Sequence, residues 1–250
     1  MNTMDNILII KTNELVAKDT YKLVLKGDIK EIKNPGQFAN LSLNNPEFYL
    51  RRPLSISDYN KDELVFYYKT FGEGTKYLST FKKDDTIDVL YPLGNGFTIK
   101  KENEHQLLIG GGVGVPPLYN LAKELIKNHI KPKVILGFNT KDEIFLEKEF
   151  RALGLEVVIT TMDGSDGFKG NVVDYIKEND LDKLYYYACG PKKMLDALVK
   201  TSEFGQLSFE SRMGCGFGAC MGCTCKTKTS KKRICKEGPV LDGSEVVVDE

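Results

Sequence analysis

The sequence predicts a multi-domain β and α/β protein: an antiparallel β-barrel, then a doubly wound parallel sheet, then a small cysteine-rich C-terminal domain. Three observations carry that expectation. Up to about residue 98 the chain reads as short β-branched and aromatic runs punctuated by Gly, Asn, Pro and Asp, the pattern of antiparallel strands joined by turns. From residue 105 onward, strand-like and helix-like segments alternate with short connections, as in a parallel sheet with crossover helices. Five of the six cysteines then fall between residues 215 and 235. The expected units are residues 1–98, 99–210 and 211–250, with the first boundary between Asn95 and Glu104.

In the first unit ILIIKTNELV, YKLVLKG, FANLSL, LSISDY, ELVFYYKT and TIDVLYPLG are the expected strands. TKYLSTFKK, opened by Gly74-Thr75, is its expected helix. In the second unit HQLLIG, KVILGF, EVVITTMD, KLYYYACG and QLSFE read as strands. PPLYNLAKELIKN (with proline at its start), DEIFLEKEFRAL, VVDYIKEN and PKKMLDALVKT read as the intervening helices. There is no internal repeat and no low-complexity tract.

Composition narrows the function classes. With 35 basic and 35 acidic residues in 250 the formal charge is zero, which gives no footprint for a polyanion such as nucleic acid. The basic run Lys226 to Arg233 is short and lacks aromatics, and reads as a solvated hairpin. No apolar run approaches the ~20 residues that span a bilayer. Asp5 precedes the apolar ILII without a basic region, unlike a signal peptide. Cysteines gathered in one window suit metal binding in a reducing compartment, so a soluble cytoplasmic protein is expected.

Cys215, Cys220, Cys223 and Cys235 stand as C-x4-C-x2-C with a fourth cysteine further on. This is the plant-type [2Fe–2S] spacing, in which one loop gives three thiolates and a later segment returns the fourth. Gly214 stands just before them and Gly216, Gly218 and Gly222 lie between them, where glycine lets a backbone curl around a cluster and aim N–H groups at sulfur. Zinc is the alternative, although structural zinc sites favour two short knuckles and here only one pair is that close. Cys225 is left outside the ligand set because the other four complete the spacing.

Two further segments carry anion-binding chemistry. Arg51-Arg52-Pro53-Leu54-Ser55-Ile56 puts a guanidinium, a rigid proline and a hydroxyl on one extended run. The guanidinium can hold a pyrophosphate bidentately while the hydroxyl reaches a flavin ring edge; the other reading is a surface arginine at a strand end. Gly72-Glu73-Gly74-Thr75 opens a helix and can present backbone N–H groups to phosphate; the other reading is an ordinary turn and cap. Taken together they favour a flavin site in the barrel.

In the second unit, the run Gly110 to Pro117, with Gly111, Gly112 and Gly114 inside it, joins the first strand to the first helix. That is the place of a dinucleotide phosphate loop, although Pro116 departs from G-x-G-x-x-G. After the second strand, Gly137 to Lys141 offers neither an acid at the strand tip nor an arginine, which leaves NAD against NADP open with a lean to NAD. Cys189-Gly190-Pro191 ends the fourth strand, either as a small buried hydrophobe and a turn or as the surface on which a nicotinamide docks. His105 and His129 lack partners at ligand spacing and read as structural. No Ser/His/Asp or Cys/His pattern is present, and no general base for C–H chemistry stands out.

In this order R-P-L-S, G-E-G-T, GGGVGVPPL and ACGP resemble the ferredoxin–NAD(P)+ reductase superfamily over roughly residues 1 to 210. The tail ESRMGCGFGACMGCTC, ending RICKEGPV, resembles the electron-transfer subunit of class B, NAD-linked dihydroorotate dehydrogenase, and extends the likeness to the whole chain. The resemblance implies an FAD barrel, a nucleotide-binding domain and a C-terminal [2Fe–2S] domain. It implies that Arg52, Pro53, Leu54, Ser55, Tyr67, Tyr68 and Lys69 contact FAD, that Gly74 and Thr75 hold its phosphates, and that the four cysteines bind the cluster. It further implies a separate FMN-bearing subunit that oxidises dihydroorotate, joined in a heterotetramer of two of each. Electrons would pass from that FMN through the cluster to FAD and leave as hydride on NAD+. A reductase subunit of a ferredoxin–NADP+ transhydrogenase or a sulfide dehydrogenase is the enzyme alternative; a metal-binding regulatory module is the alternative of another class.

Overall fold

Alternating apolar positions in the first ninety residues turn inward together and close a barrel. The computed structural model describes residues 7–103 and 105–248; Asp5 and Glu104, which bear on the leader and the first boundary, lie outside them. Strands β1 (Ile7–Ala17), β2 (Thr20–Lys26), β3 (Phe38–Ser42), β4 (Arg52–Tyr59), β5 (Glu63–Lys69) and β6 (Thr86–Leu93) form an antiparallel barrel in the order β1-β2-β5-β4-β3-β6. Leu8 and Ile10 of β1, Leu23 and Leu25 of β2, and Leu64, Phe66 and Tyr68 of β5 fill one core, as a side-chain period of two requires. Closure pairs every strand on both sides and leaves no open edge.

The helix α1 (Glu73–Ser79) is shorter than the expected run to Lys83. Asn13 Nδ2 donates to the Leu78 and Phe81 carbonyls, at 2.9 and 3.1 Å. It thereby satisfies end-of-helix acceptors from the barrel side and stops the helix there.

Beyond the barrel come β7 (Gln106–Gly111), α2 (Pro116–Lys127), β8 (Lys133–Phe138), α3 (Glu147–Ala152), β9 (Val157–Thr161), β10 (Phe168–Lys169), α4 (Val172–Glu178), β11 (Tyr185–Cys189), α5 (Lys192–Thr201) and β12 (Gly205–Ser208). Two short strands, β13 (Thr224–Lys226) and β14 (Lys231–Arg233), pair antiparallel in the expected hairpin. The strand β15 (Val240–Asp242) returns to the main sheet and pairs antiparallel with β12. The seven-stranded order is β10-β9-β8-β7-β11-β12-β15.

Alternation again explains the layers. Leu108, Leu136, Tyr187 and Cys189 face a core shared with α2 and α3. Leu107, Ile135, Tyr186 and Ala188 face the opposite core with α4 and α5. Helices on both faces make the sheet doubly wound, as expected.

A second helix departs further from expectation. The run 142–153 is not one helix: a 3-10 turn at Lys141–Glu143 precedes an extended Ile144 and a left-handed Leu146, φ 63°, before α3 begins. Tertiary contacts outweigh the helical pattern here. Phe145 stacks on Tyr67 of the barrel with centroids 5.5 Å apart, and Glu143 reaches Lys69 at 3.1 Å.

The barrel exit and the chain's last segment are tied by one side chain. Asn95 Nδ2 donates to the Glu237 and Val240 carbonyls, at 3.1 and 2.8 Å, and its Oδ1 accepts from Val240 N at 3.1 Å. Asn95→Ala removes all three bonds and strands their backbone partners, so denaturant unfolding of the variant should show a loss of about 1–3 kcal/mol.

Candidate functional site

Reversal of strand order places a crevice between β7, which turns to β8 on one side, and β11 on the other. In open α/β sheets ligands bind outside the carboxyl ends of strands at such a switch point. The glycine run leaves β7 there and the Cys189-Gly190-Pro191 turn leaves β11 there. The two are in backbone contact: a β-carbon at Gly114 would lie 2.3 Å from the Cys189 carbonyl oxygen and 2.4 Å from Gly190 N. Only a residue without a side chain allows that approach.

Barrel and sheet meet over this crevice, around a cavity of ≈ 240 Å³. Pro53, Leu54 and Ser55 of β4 line it, with Tyr67, Tyr68 and Lys69 of the neighbouring β5. Thr75 from α1 and Cys189 from the sheet complete the expected residues on its wall. Arg52 and Gly74 stand together just beside it, since a side chain at Gly74 would collide with the Arg52 guanidinium. Arg52 also lies 5.4 Å from the Phe48 ring centroid. Gly111, Gly112 and Pro191 line a second depression with Asn139, Glu143 and Met194. Gly190 borders a third, of ≈ 510 Å³, between α5 and the cysteine hairpin. Residues from three motifs, far apart in sequence, thus converge on adjoining hollows.

Electrostatics distinguish these groups. Burial, then Glu210, push the Cys189 thiol up to about 12, so it is a neutral wall residue and not a nucleophile. Burial also raises the Tyr67 and Tyr68 hydroxyls above the ordinary tyrosine range. Partial burial alone would raise Glu143, but Lys69 and Asn139 outweigh it and hold the carboxyl below its usual range. The Glu143–Lys69 pair therefore joins the second depression to the first cavity.

Sequence reasoning missed several wall residues. Phe38 faces Ser55 across the β3–β4 ladder, a pairing with no local signal. Phe209, Glu210 and Ser211 form the partition between the first and third hollows. The expected strand QLSFE runs through Phe209 and Glu210, whereas β12 ends at Ser208; the carboxyl end of that strand, on the ligand edge of the sheet, was the available clue. Surrounding protein raises the Glu210 carboxyl above its usual range.

The four cysteines stand as two pairs. Ala219 N and Cys220 N donate to Cys215 Sγ at 3.2 and 3.4 Å, and Cys215 N and Gly222 N to Cys220 Sγ at 3.5 and 3.4 Å. Cys223 Sγ lies 3.2 Å from Cys235 Sγ. Among the described residues no three metal-ligating side chains converge on one point. The free thiols thus stand as two pairs, with N–H groups turned toward their sulfurs. Cys225, half-buried on β13, belongs to neither pair. His105 and His129 are exposed and outside these groups.

Comparison with known proteins decides the family. The iron-sulfur cluster binding domain of dihydroorotate dehydrogenase B matches residues 210–247, and the oxidoreductase NAD-binding domain matches residues 108–200. The electron transfer subunit of dihydroorotate dehydrogenase B (NAD(+)) from Fusobacterium nucleatum is 47% identical, over 96% of this chain and 97% of that protein. The chain belongs to the dihydroorotate dehydrogenase B electron transfer subunits.

The corresponding subunit of Geobacillus kaustophilus is 42% identical over 96% of this chain and 97% of its own. A solved NADH-dependent reduced ferredoxin-NADP oxidoreductase, described for flavin-based electron bifurcation, superposes with TM-score 0.87 at 29% identity, covering 99% of this chain and 92% of that one. The transhydrogenase-type alternative thus corresponds to a more distant relative. The NAD-binding oxidoreductase domain sets aside the purely regulatory reading. A dihydroorotate dehydrogenase B electron transfer subunit works beside a separate catalytic subunit.

Gly114→Ala tests the crevice. The added methyl collides with the Cys189–Gly190 backbone, so thermal or denaturant unfolding should show a loss of about 1–3 kcal/mol, with weaker NADH binding in fluorescence titration.

Proposed function

We propose that this chain passes electrons from dihydroorotate, arriving by way of an FMN-bearing catalytic partner, to NAD+, and holds a [2Fe–2S] cluster and FAD for that purpose. The division into residues 1–98 for FAD, 99–210 for NAD and 211–250 for the cluster belongs to this reading. So does a cytoplasmic assembly of two copies of each subunit. No helix among the described residues is long and apolar enough to cross a membrane.

The observation that carries the reading is the convergence of Ser55, Tyr67, Lys69 and Cys189 on one cavity. Arg52 supplies a bidentate cation for a pyrophosphate. Gly74 and Thr75, at the start of α1, supply close backbone approach. Pro53, Leu54, Ser55, Tyr67, Tyr68 and Lys69 wall the isoalloxazine. Gly111, Gly112 and Gly114 bring the phosphates of NAD to the start of α2, and Cys189, Gly190 and Pro191 form the floor for its nicotinamide. Cys215, Cys220, Cys223 and Cys235 hold the cluster. When bound, these groups supply one-electron transfer, the exchange between one- and two-electron steps, and a hydride acceptor.

The exposed flank of the cysteine loop supports a docking role toward the catalytic partner. Phe217 and Met221 are 56% and 55% exposed on either side of the exposed Cys220. Apolar anchors of this kind carry much of an interface's energy. Phe217→Asp should weaken co-purification of the catalytic subunit by about 2 kcal/mol, read as an increased Kd, with an unchanged absorption spectrum.

An anaerobic absorption spectrum of the two-subunit complex tests the whole reading. Flavin and iron–sulfur bands should bleach with dihydroorotate and recover with NAD+. Bands that bleach with NADH alone would remove the pyrimidine assignment, and a colourless zinc protein would remove the redox reading. Cys235→Ser should abolish the iron–sulfur bands, whereas Cys225→Ser should leave them intact.

A further inference from the structure

Asn40 is a polar residue buried in the barrel wall. It is 0% exposed, between Ala39 and Leu41, both also 0% exposed. Across the ladders it faces Pro53 of β4 and Leu90 of β6, so its strand lies directly beside the R-P-L-S strand. Its backbone carbonyl accepts from the Arg51 guanidinium at 3.2 Å.

The side chain leaves the barrel toward the cysteine loop. Nδ2 donates to the Cys215 carbonyl at 3.4 Å, which identifies the NH2 group as the end facing the loop. Gly216 presses on the same nitrogen: a β-carbon there would lie 2.3 Å from it, and the Gly216 φ of +78° already suits glycine. Asn40 Oδ1 is buried with no hydrogen-bond partner among the described residues. A buried amide satisfied at one end only costs stability, and leucine would fill the same volume without that cost. Barrel packing therefore does not account for an asparagine at this position.

We propose that Asn40 is a positioning residue for electron transfer: its amide donates to the Cys215 carbonyl and so seats the cysteine loop against the barrel strand next to the flavin-binding run. This rests on the function proposed above. A donor on the carbonyl of a cluster cysteine offsets that oxygen's negative charge beside the cluster, so Asn40 raises the cluster's reduction potential as hydrogen bonds and local charge do. The seat also fixes how the loop lies relative to Pro53 and Leu54.

The test uses the intact two-subunit complex with Asn40→Leu and Asn40→Ser. EPR-monitored redox titration gives the cluster midpoint potential and g values. Stopped-flow absorbance separates the reduction of flavin by NADH from the reduction of the cluster that follows. In Asn40→Leu the midpoint potential should fall, the g values shift and cluster reduction slow, with flavin reduction by NADH at its original rate. Asn40→Ser, which keeps a shorter donor, should shift the potential in the same direction by less, and it decides the matter if the leucine variant does not fold. An unchanged potential and g values in a folded variant would overturn the proposal, as would equal slowing of both steps. A parent complex without flavin or cluster would instead overturn the underlying function, before any variant is compared.

Discussion

Everything in this molecule depends on a contact between two backbones. Gly114 lies against the Cys189 carbonyl and the Gly190 amide, which draws the loop after β7 onto the turn after β11. That contact shapes the edge of the sheet at its switch point. The barrel then sets its β4–β5 flank over the same edge, with Phe145 on Tyr67 and Glu143 on Lys69 as fastenings. A cavity walled by both units is the result. Each fastening involves a residue that also borders a hollow, so the forces that join the units are the ones that shape the site.

The architecture was largely legible because its causes are local. Period-two burial marks the barrel strands, and alternating strands and helices mark the doubly wound sheet. The cysteine spacing was legible for the same reason, since one loop contributes three of the four thiols. What the sequence hid was long-range. Nothing near Phe38 indicates that it will face Ser55, and nothing in 142–153 indicates that Phe145 and Glu143 will be drawn out of a helical pattern by Tyr67 and Lys69. The return of Val240–Asp242 to the sheet was hidden too, because three apolar-edged residues after a cysteine segment carry no register of their own. Phe209 to Ser211 fall between these cases: QLSFE was readable as a strand running to the ligand edge, but its end at Ser208 and the role of the next three residues as a partition required the cysteine hairpin to be in place.

The paired arrangement of the thiols adds chemistry that spacing alone did not give. Cys215 stands with Cys220, and Cys223 with Cys235, the pairing that the proposed two-iron cluster requires. Backbone N–H groups reach three of these sulfurs. They offset the negative charge that four thiolates would otherwise place in one loop.

The cysteine segment leaves the main sheet from β12 and comes back to it at β15, and those two strands are hydrogen-bonded to each other. Asn95 grips the same returning stretch from the barrel side. Both ends of the loop are therefore moored to protein, within one sheet, by bonds that involve no metal. The segment is thus a loop wired into a finished frame, its two ends set by the sheet and by Asn95 and not by the cysteines between them.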